Sequence, residues 1–181
     1  LPAHDAEAFG AEKRMFENQD WAMAYVAPRG IGPTAWSGDA RKRNHVLRRF
    51  YLLGQTLDGM RALDVVRSAQ ALREVEGMEK VPLWMQAHGQ MASNLLYASL
   101  HVPEVTRLDL HDLPASHMQG PAYLNVLRHL DLPQAVALAS ERARVVLYQP
   151  EAKYDPFAAK VAEAIGLGKK AFSVRKSMAE E

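Results

Sequence analysis

The chain has 181 residues, 48% hydrophobic and 24% charged, the balance of one globular domain long enough to bury a core. Its net charge of +1 supplies no field to recruit nucleic acid or an anionic membrane surface, and no apolar run reaches the roughly 18 residues that a bilayer span requires. With no cysteine, disulfides, thiolate nucleophiles and cysteine-based zinc sites are excluded.

Taken in order, Asp5 to Asn18 reads as a helix, with Ala6, Phe9, Met15 and Phe16 as its apolar positions. Trp21 to Ala27, WAMAYVA, is continuously apolar, as a strand covered on both faces should be. The turn residues of Pro28 to Pro33 stop it, and a loop runs on to Arg43. The basic residues Arg41, Lys42, Arg43, Arg48 and Arg49 are expected on a solvated or partner-facing surface. From Val46 to Val75 apolar residues recur at three- and four-residue steps (Leu53, Leu57, Met60, Leu63, Val66, Ala69), which predicts one long helix. Gly54 and Gly59 are the points where it could break, and Gly77 ends it.

Val81 to Gln86 is the second predicted strand and Gly89 to His101 the helix after it. Val105 to Leu110 follows as a strand closed by Pro114, then two short helices, Leu124 to Leu130 and Pro133 to Ser140. Arg144 to Gln149 is the fourth strand, Pro156 to Ile165 a helix stopped by Gly166, and Ala171 to Arg175 the fifth strand before a frayed SMAEE tail. Strands alternating with helices predict an α/β fold, a mostly parallel doubly wound sheet of about five strands in a single domain. Nucleotide binding is the weakest reading, because PRGIGP contains neither G-x-G-x-x-G nor G-x-x-x-x-G-K-S/T.

The stretch VPLWMQAHGQMASNLLYASL, Val81 to Leu100, has the order of a nucleophile elbow, a strand turned sharply into a helix to present a reactive side chain. Its five corner positions are Ala87, His88, Gly89, Gln90 and Met91. Three further segments support the likeness: Trp21 to Gly32, Leu57 to Leu72 and Leu130 to Leu147. On these residues the chain resembles the C-terminal two-thirds of α/β-hydrolases of the acetyl xylan esterase and dienelactone hydrolase type. Trp21 to Gly32 then stands for the fourth strand and its D-x-R-G-x-G turn, with Ala27 where the Asp belongs.

The resemblance implies a Ser, Asp or Glu, His triad in that chain order. The nucleophile position is Gly89, flanked by His88 and Gln90; the acid would be Glu151 or Asp155; the His belongs near Arg175 to Ser177, yet no histidine follows His129. Ser93 with His88, or Ser116 with His117, are the displaced pairs that remain. His111, Asp112 and His117 fit no helical metal spacing and are expected as hydrogen-bonded loop residues. Trp21, Trp36 and Trp84 are expected in the core or at an interface, with Trp36 the exception that would suit a sugar platform.

The expected function is a non-catalytic, pseudo-esterase domain with a structural, partner-binding or ligand-binding role and no cofactor. The alternative is a carboxyl-ester hydrolase, acetyl xylan esterase-like, completed by an N-terminal segment and a displaced Ser/His pair. The resemblance also implies strands before Trp21. The chain is therefore expected to be the C-terminal portion of a longer protein, or to take the missing strands from another chain, with a carbohydrate or ester as ligand and no nucleic acid or membrane as partner. Family analogy leans toward a secreted or periplasmic setting.

Overall fold

The computed structural model describes residues 6–17, 19–36, 39–168 and 170–176. The chain divides into two compact units, Leu1–Asn44 and His45–Glu181. Among the described residues no helix is long and apolar enough to cross a membrane. The SMAEE tail and the place of the expected triad His at Ser177 lie outside the described residues.

In the first unit, α1 spans Ala6–Phe16 and a 3-10 turn spans Gly32–Thr34. The expected strand at Trp21 to Ala27 is not formed. Phe16 and Trp21 meet edge to face at 4.9 Å, while Met23 and Tyr25 are about half exposed. An apolar run states what a segment would bury, whereas a strand exists only where a neighbouring edge supplies its backbone partners. Helix α2, Ala40–Leu52, runs across the division, buries no residue and exposes the basic residues at 41–43, 48 and 49.

The long helix expected from Val46 to Val75 is two helices, α2 and α3 (Leu57–Arg73). They part at Gly54, whose φ of 67° is the left-handed region that favours glycine. Gly59 does not break α3: its N–H donates to Thr56 Oγ1 at 2.9 Å, the N-cap bond that starts the helix. Val65 and Ala69 are the residues α3 buries, while Leu53 and Leu63 face outward.

The rest of the second unit is a parallel α/β sheet, with β1 Leu83–His88, β2 Val105–His111, β3 Arg144–Tyr148 and β4 Phe172–Arg175 in the order β1-β2-β3-β4. Helices α4 (Gln90–Ser99), α5 (Leu132–Ser140) and α6 (Phe157–Ala164) make the crossovers. Each crossover advances in the same direction, so right-handed connections place all three helices on one face. The core follows: Leu83, Met85, Leu108, Leu110, Val145 and Leu147 point toward the helices, where Leu96, Leu132 and Val136 are fully buried. Each such burial stabilises the fold by about 1.5–3 kcal/mol.

Four strands, rather than five, are present among the described residues, and α3, α4, α5 and α6 lie on one side of the sheet. The alternation in LWMQAH, RLDLH and FSVR already encodes that asymmetry. Apolar side chains face the helices; Trp84, Gln86, His88, Arg107, Asp109 and His111 face the other way.

Candidate functional site

Strand β1 turns into α4 at Gly89, with φ 57° and ψ −130°. The corner is pinned from beneath, since Gly89 N–H donates to His111 O at 2.8 Å and Gly89 O accepts from Ala92 N–H at 3.0 Å. A Cβ built on Gly89 meets no atom within 4 Å. The backbone thus has room to display a side chain and displays none. The φ makes any other residue strained here, so glycine relieves the corner of a cost of order 1–3 kcal/mol. Beside it, Gln90 lies over the loop after β2: a Cβ at Gly120 would fall 2.8 Å from Gln90 Nε2.

Neither displaced pair is assembled. Ser93 is fully buried in α4, on the helix side of the sheet, and its hydroxyl has no hydrogen-bond partner. His88 lies on the opposite face, stacked on His111 at 4.2 Å. Ser116 and His117 are adjacent in the chain but serve different partners. Ser116 donates to Asp131 Oδ2 at 2.5 Å and accepts from Met118 N–H at 3.1 Å. The His117 ring is nearly buried and held at both nitrogens, with Nδ1 2.9 Å from Pro121 O and Nε2 2.8 Å from Tyr97 OH. A carbonyl can only accept, so Nδ1 carries the proton and Nε2 accepts from the tyrosine. That imidazole has no free lone pair with which to take a proton from a serine.

The acid candidates are equally committed. Glu151 pairs with Lys153 at 3.6 Å on the open surface, and Asp155 accepts from Phe157 N–H at 2.8 Å at the start of α6. Among the described residues no three His, Asp or Glu side chains are grouped to hold a metal ion. Asp112 follows β2 with φ 50°, its N–H donating to Tyr148 O. The three tryptophans are not core residues: Trp21, Trp36 and Trp84 are all exposed.

Two polar networks lie beyond the candidates that the motifs indicate. One ties the loop after β2 to the helices. Asp131 accepts from Ser116, from His117 N–H at 2.7 Å and from Leu132 N–H at 2.8 Å, and with Gln134 it forms the capping box of α5. Burial pushes the Asp131 carboxyl up, but the three hydrogen bonds outweigh it and leave the group below its ordinary value. Tyr97, Tyr123 and His117 form a ring cluster, and burial with the nearby Asp131 charge pushes the Tyr97 phenol up to about 12. Tyr123 donates to Asn94 Oδ1 at 2.5 Å, and Asp58 accepts from Ala122 N–H at 3.1 Å. The sequence signal for this network is D-L-P-Q at Asp131 to Gln134, a capping box with Pro in the first turn.

The second network covers the sheet face away from the helices. Asp109 is fully buried, accepting from Arg107 Nε at 2.9 Å and from Trp84 Nε1 at 2.8 Å, while the Arg107 guanidinium sits 4.0 Å over the Trp84 ring. At the carboxyl ends of the strands His88, His111 and Tyr148 stand abreast, their rings stacked at 4.2 and 4.5 Å. Gln86 Nε2 lies 3.1 Å from His111 Nε2 and donates to it, which requires the neutral ring.

Burial, then the His88 charge, hold the His111 pKa below its ordinary value against the opposing pull of Asp109 and Asp112. The fold therefore favours neutral His111. Its contribution is complete above the unfolded value of about 6.5 and declines as pH falls from there toward the folded value. The urea midpoint should fall between pH 7.5 and pH 5, and His111→Phe, which keeps a ring in the stack, should flatten that slope. An unchanged slope in the variant would assign the pH dependence to other groups.

Comparison with known protein families, with curated proteins and with solved structures finds no match to this chain. The class defined by the fold is a parallel α/β sheet with one helical layer in its larger unit and a glycine at its strand-to-helix corner.

Proposed function

We propose that this chain is a non-catalytic α/β-hydrolase-like domain whose role is structural or partner-binding. Its sheet would correspond to the C-terminal part of a hydrolase sheet, completed beyond β1 by further strands from the remainder of its own polypeptide or from another chain. The observation that carries the reading is the corner at Gly89, a backbone conformation suited to presenting a nucleophile on a residue that has no side chain. Acyl transfer needs a hydroxyl, a base that takes its proton and a group that orients the base. Ser116 donates into a carboxylate, and the neighbouring imidazole is saturated.

The competing reading, a carboxyl-ester hydrolase of the acetyl xylan esterase kind, needs a hydroxyl in contact with an imidazole, and neither Ser93 nor Ser116 makes that contact. A carbohydrate or an ester remains the ligand class for the vacated corner, where Gly89 leaves open space. The test is turnover of a p-nitrophenyl acetate to butyrate series by the purified chain. Rates should equal those of the Ser93→Ala and Ser116→Ala variants. Hydrolysis that disappears with either substitution would overturn the proposal.

A further inference from the structure

Helix α2, Ala40–Leu52, carries five basic residues (Arg41, Lys42, Arg43, Arg48 and Arg49) and no acidic one. That concentration exceeds the +1 of the whole chain, so the remainder is net negative. A net charge averages over the chain, whereas a contacting surface feels only the charges within a Debye length of about 8–10 Å. The low total therefore conceals a strongly cationic helix. No ion pair joins any of the five to a carboxylate among the described residues. Three of them stand in the first turn, where the positive end of the helix dipole favours acidic side chains. Asp39 answers one backbone group there, accepting from Arg41 N–H at 2.8 Å. The cationic side chains themselves gain nothing from that position within the helix.

At about 100° per residue, Arg41, Lys42, His45, Arg48 and Arg49 share an arc about 120° wide. Val46, Leu47 and Phe50 lie on the other side, with Arg43 among them, and are partly buried. Leu52 falls within the basic arc and is 86% exposed, and Leu53, just past the helix, is 73% exposed.

These positions discriminate among anionic partners. A hydrophobic groove that grips an amphipathic helix takes its apolar face, and here that face is already partly buried. A nucleic-acid backbone matches the arginines but sets a leucine against phosphate within the contact. A bilayer of anionic lipids takes both, since headgroups pair with the basic residues and the leucines enter the acyl boundary. We propose that α2 is a docking face for an anionic lipid surface, with Arg41, Lys42, Arg48 and Arg49 on the headgroups and Leu52 and Leu53 inserted beside them. The attachment is peripheral. It goes beyond the non-catalytic reading, which neither requires nor excludes it.

The experiment is flotation of the full chain with vesicles of equimolar phosphatidylcholine and phosphatidylserine, and with vesicles of phosphatidylcholine alone. The chain should float with the first and not with the second, and added salt should release it. Arg48→Ala combined with Arg49→Ala should weaken binding roughly twenty- to thirtyfold, at about fivefold per charge. Leu52→Ala combined with Leu53→Ala should weaken it roughly tenfold and leave its salt dependence unchanged. All four side chains are exposed, so both double variants should keep the wild-type far-ultraviolet circular dichroism.

Failure to float, or flotation that either double variant leaves unchanged, overturns the proposal. So does tighter binding to a labelled RNA or DNA strand, or to polyglutamate, than to the vesicles at matched charge concentration. Those last results assign the helix to a nucleic acid or to an acidic protein. None of these outcomes bears on ester hydrolysis, so the two proposals fail separately.

Discussion

Asp109→Ala is expected to cost about 2–4 kcal/mol of stability, seen as a large fall in the urea midpoint. The carboxylate is fully buried and accepts from both Arg107 Nε and Trp84 Nε1. Removing it strands two donors, one of them a guanidinium only 14% exposed. The residual contacts of Arg107, its stacking on Trp84 and its 3.3 Å bond to Tyr148 OH, hold the loss below that of a wholly isolated buried charge. Against a net stability of about 5–15 kcal/mol for a domain, this is a large fraction. The paired change Asp109→Leu with Arg107→Met should recover much of the loss, because replacing both members of a buried ion pair with apolar residues is often neutral. A single variant with an unchanged midpoint would show that the polar face of the sheet contributes little.

Asp131→Ala should cost about 2–3 kcal/mol, through loss of the α5 cap and of the carboxylate that receives Ser116 and His117 N–H. The loop after β2 should loosen with it, so that amide exchange at His117 and Met118 speeds up more than exchange in β3. A carboxyl held below its ordinary value stabilises the fold at pH above the unfolded value of about 3.9, and that contribution is lost as pH falls through the folded one. The Asp131→Asn variant keeps an acceptor at the cap but does not titrate, so its acid unfolding should begin at lower pH relative to its own neutral-pH stability. If acid unfolding is identical in wild type and variant, the Asp131 contacts are not what acid disrupts.

The sheet was largely legible because its signals are local. Apolar stretches bounded by Gly77, Gly89, Pro114 and Gly166 mark β1, α4, β2 and α6 within a residue or two, and the proline in its first turn marks α5. The corner at Gly89 is legible for the same reason: an apolar strand meets a small-residue helix through one glycine. Trp21 to Ala27 was not legible as non-strand, since its composition is that of a strand and only the absence of a ladder partner decides otherwise. The break at Gly54 turns on a single positive φ that helical periodicity passes over. The fates of Ser116 and His117 were hidden because their partners, Asp131 and Tyr97, lie 15 and 20 residues away and meet them only once the loop folds back. The polar face around Asp109 was readable in principle, since R-L-D-L-H alternates cleanly. A parallel sheet, however, sets the expectation that both faces are apolar, and that expectation masks the pattern.

The proposal that the Gly89 corner performs no acyl transfer is tested most directly by intact-mass analysis after prolonged incubation with a fluorophosphonate. The account predicts a mass unchanged from that of the untreated chain. A single phosphonyl adduct that maps to Ser93, Ser116 or any other hydroxyl would contradict it, because only a serine activated by a base reacts at such a rate.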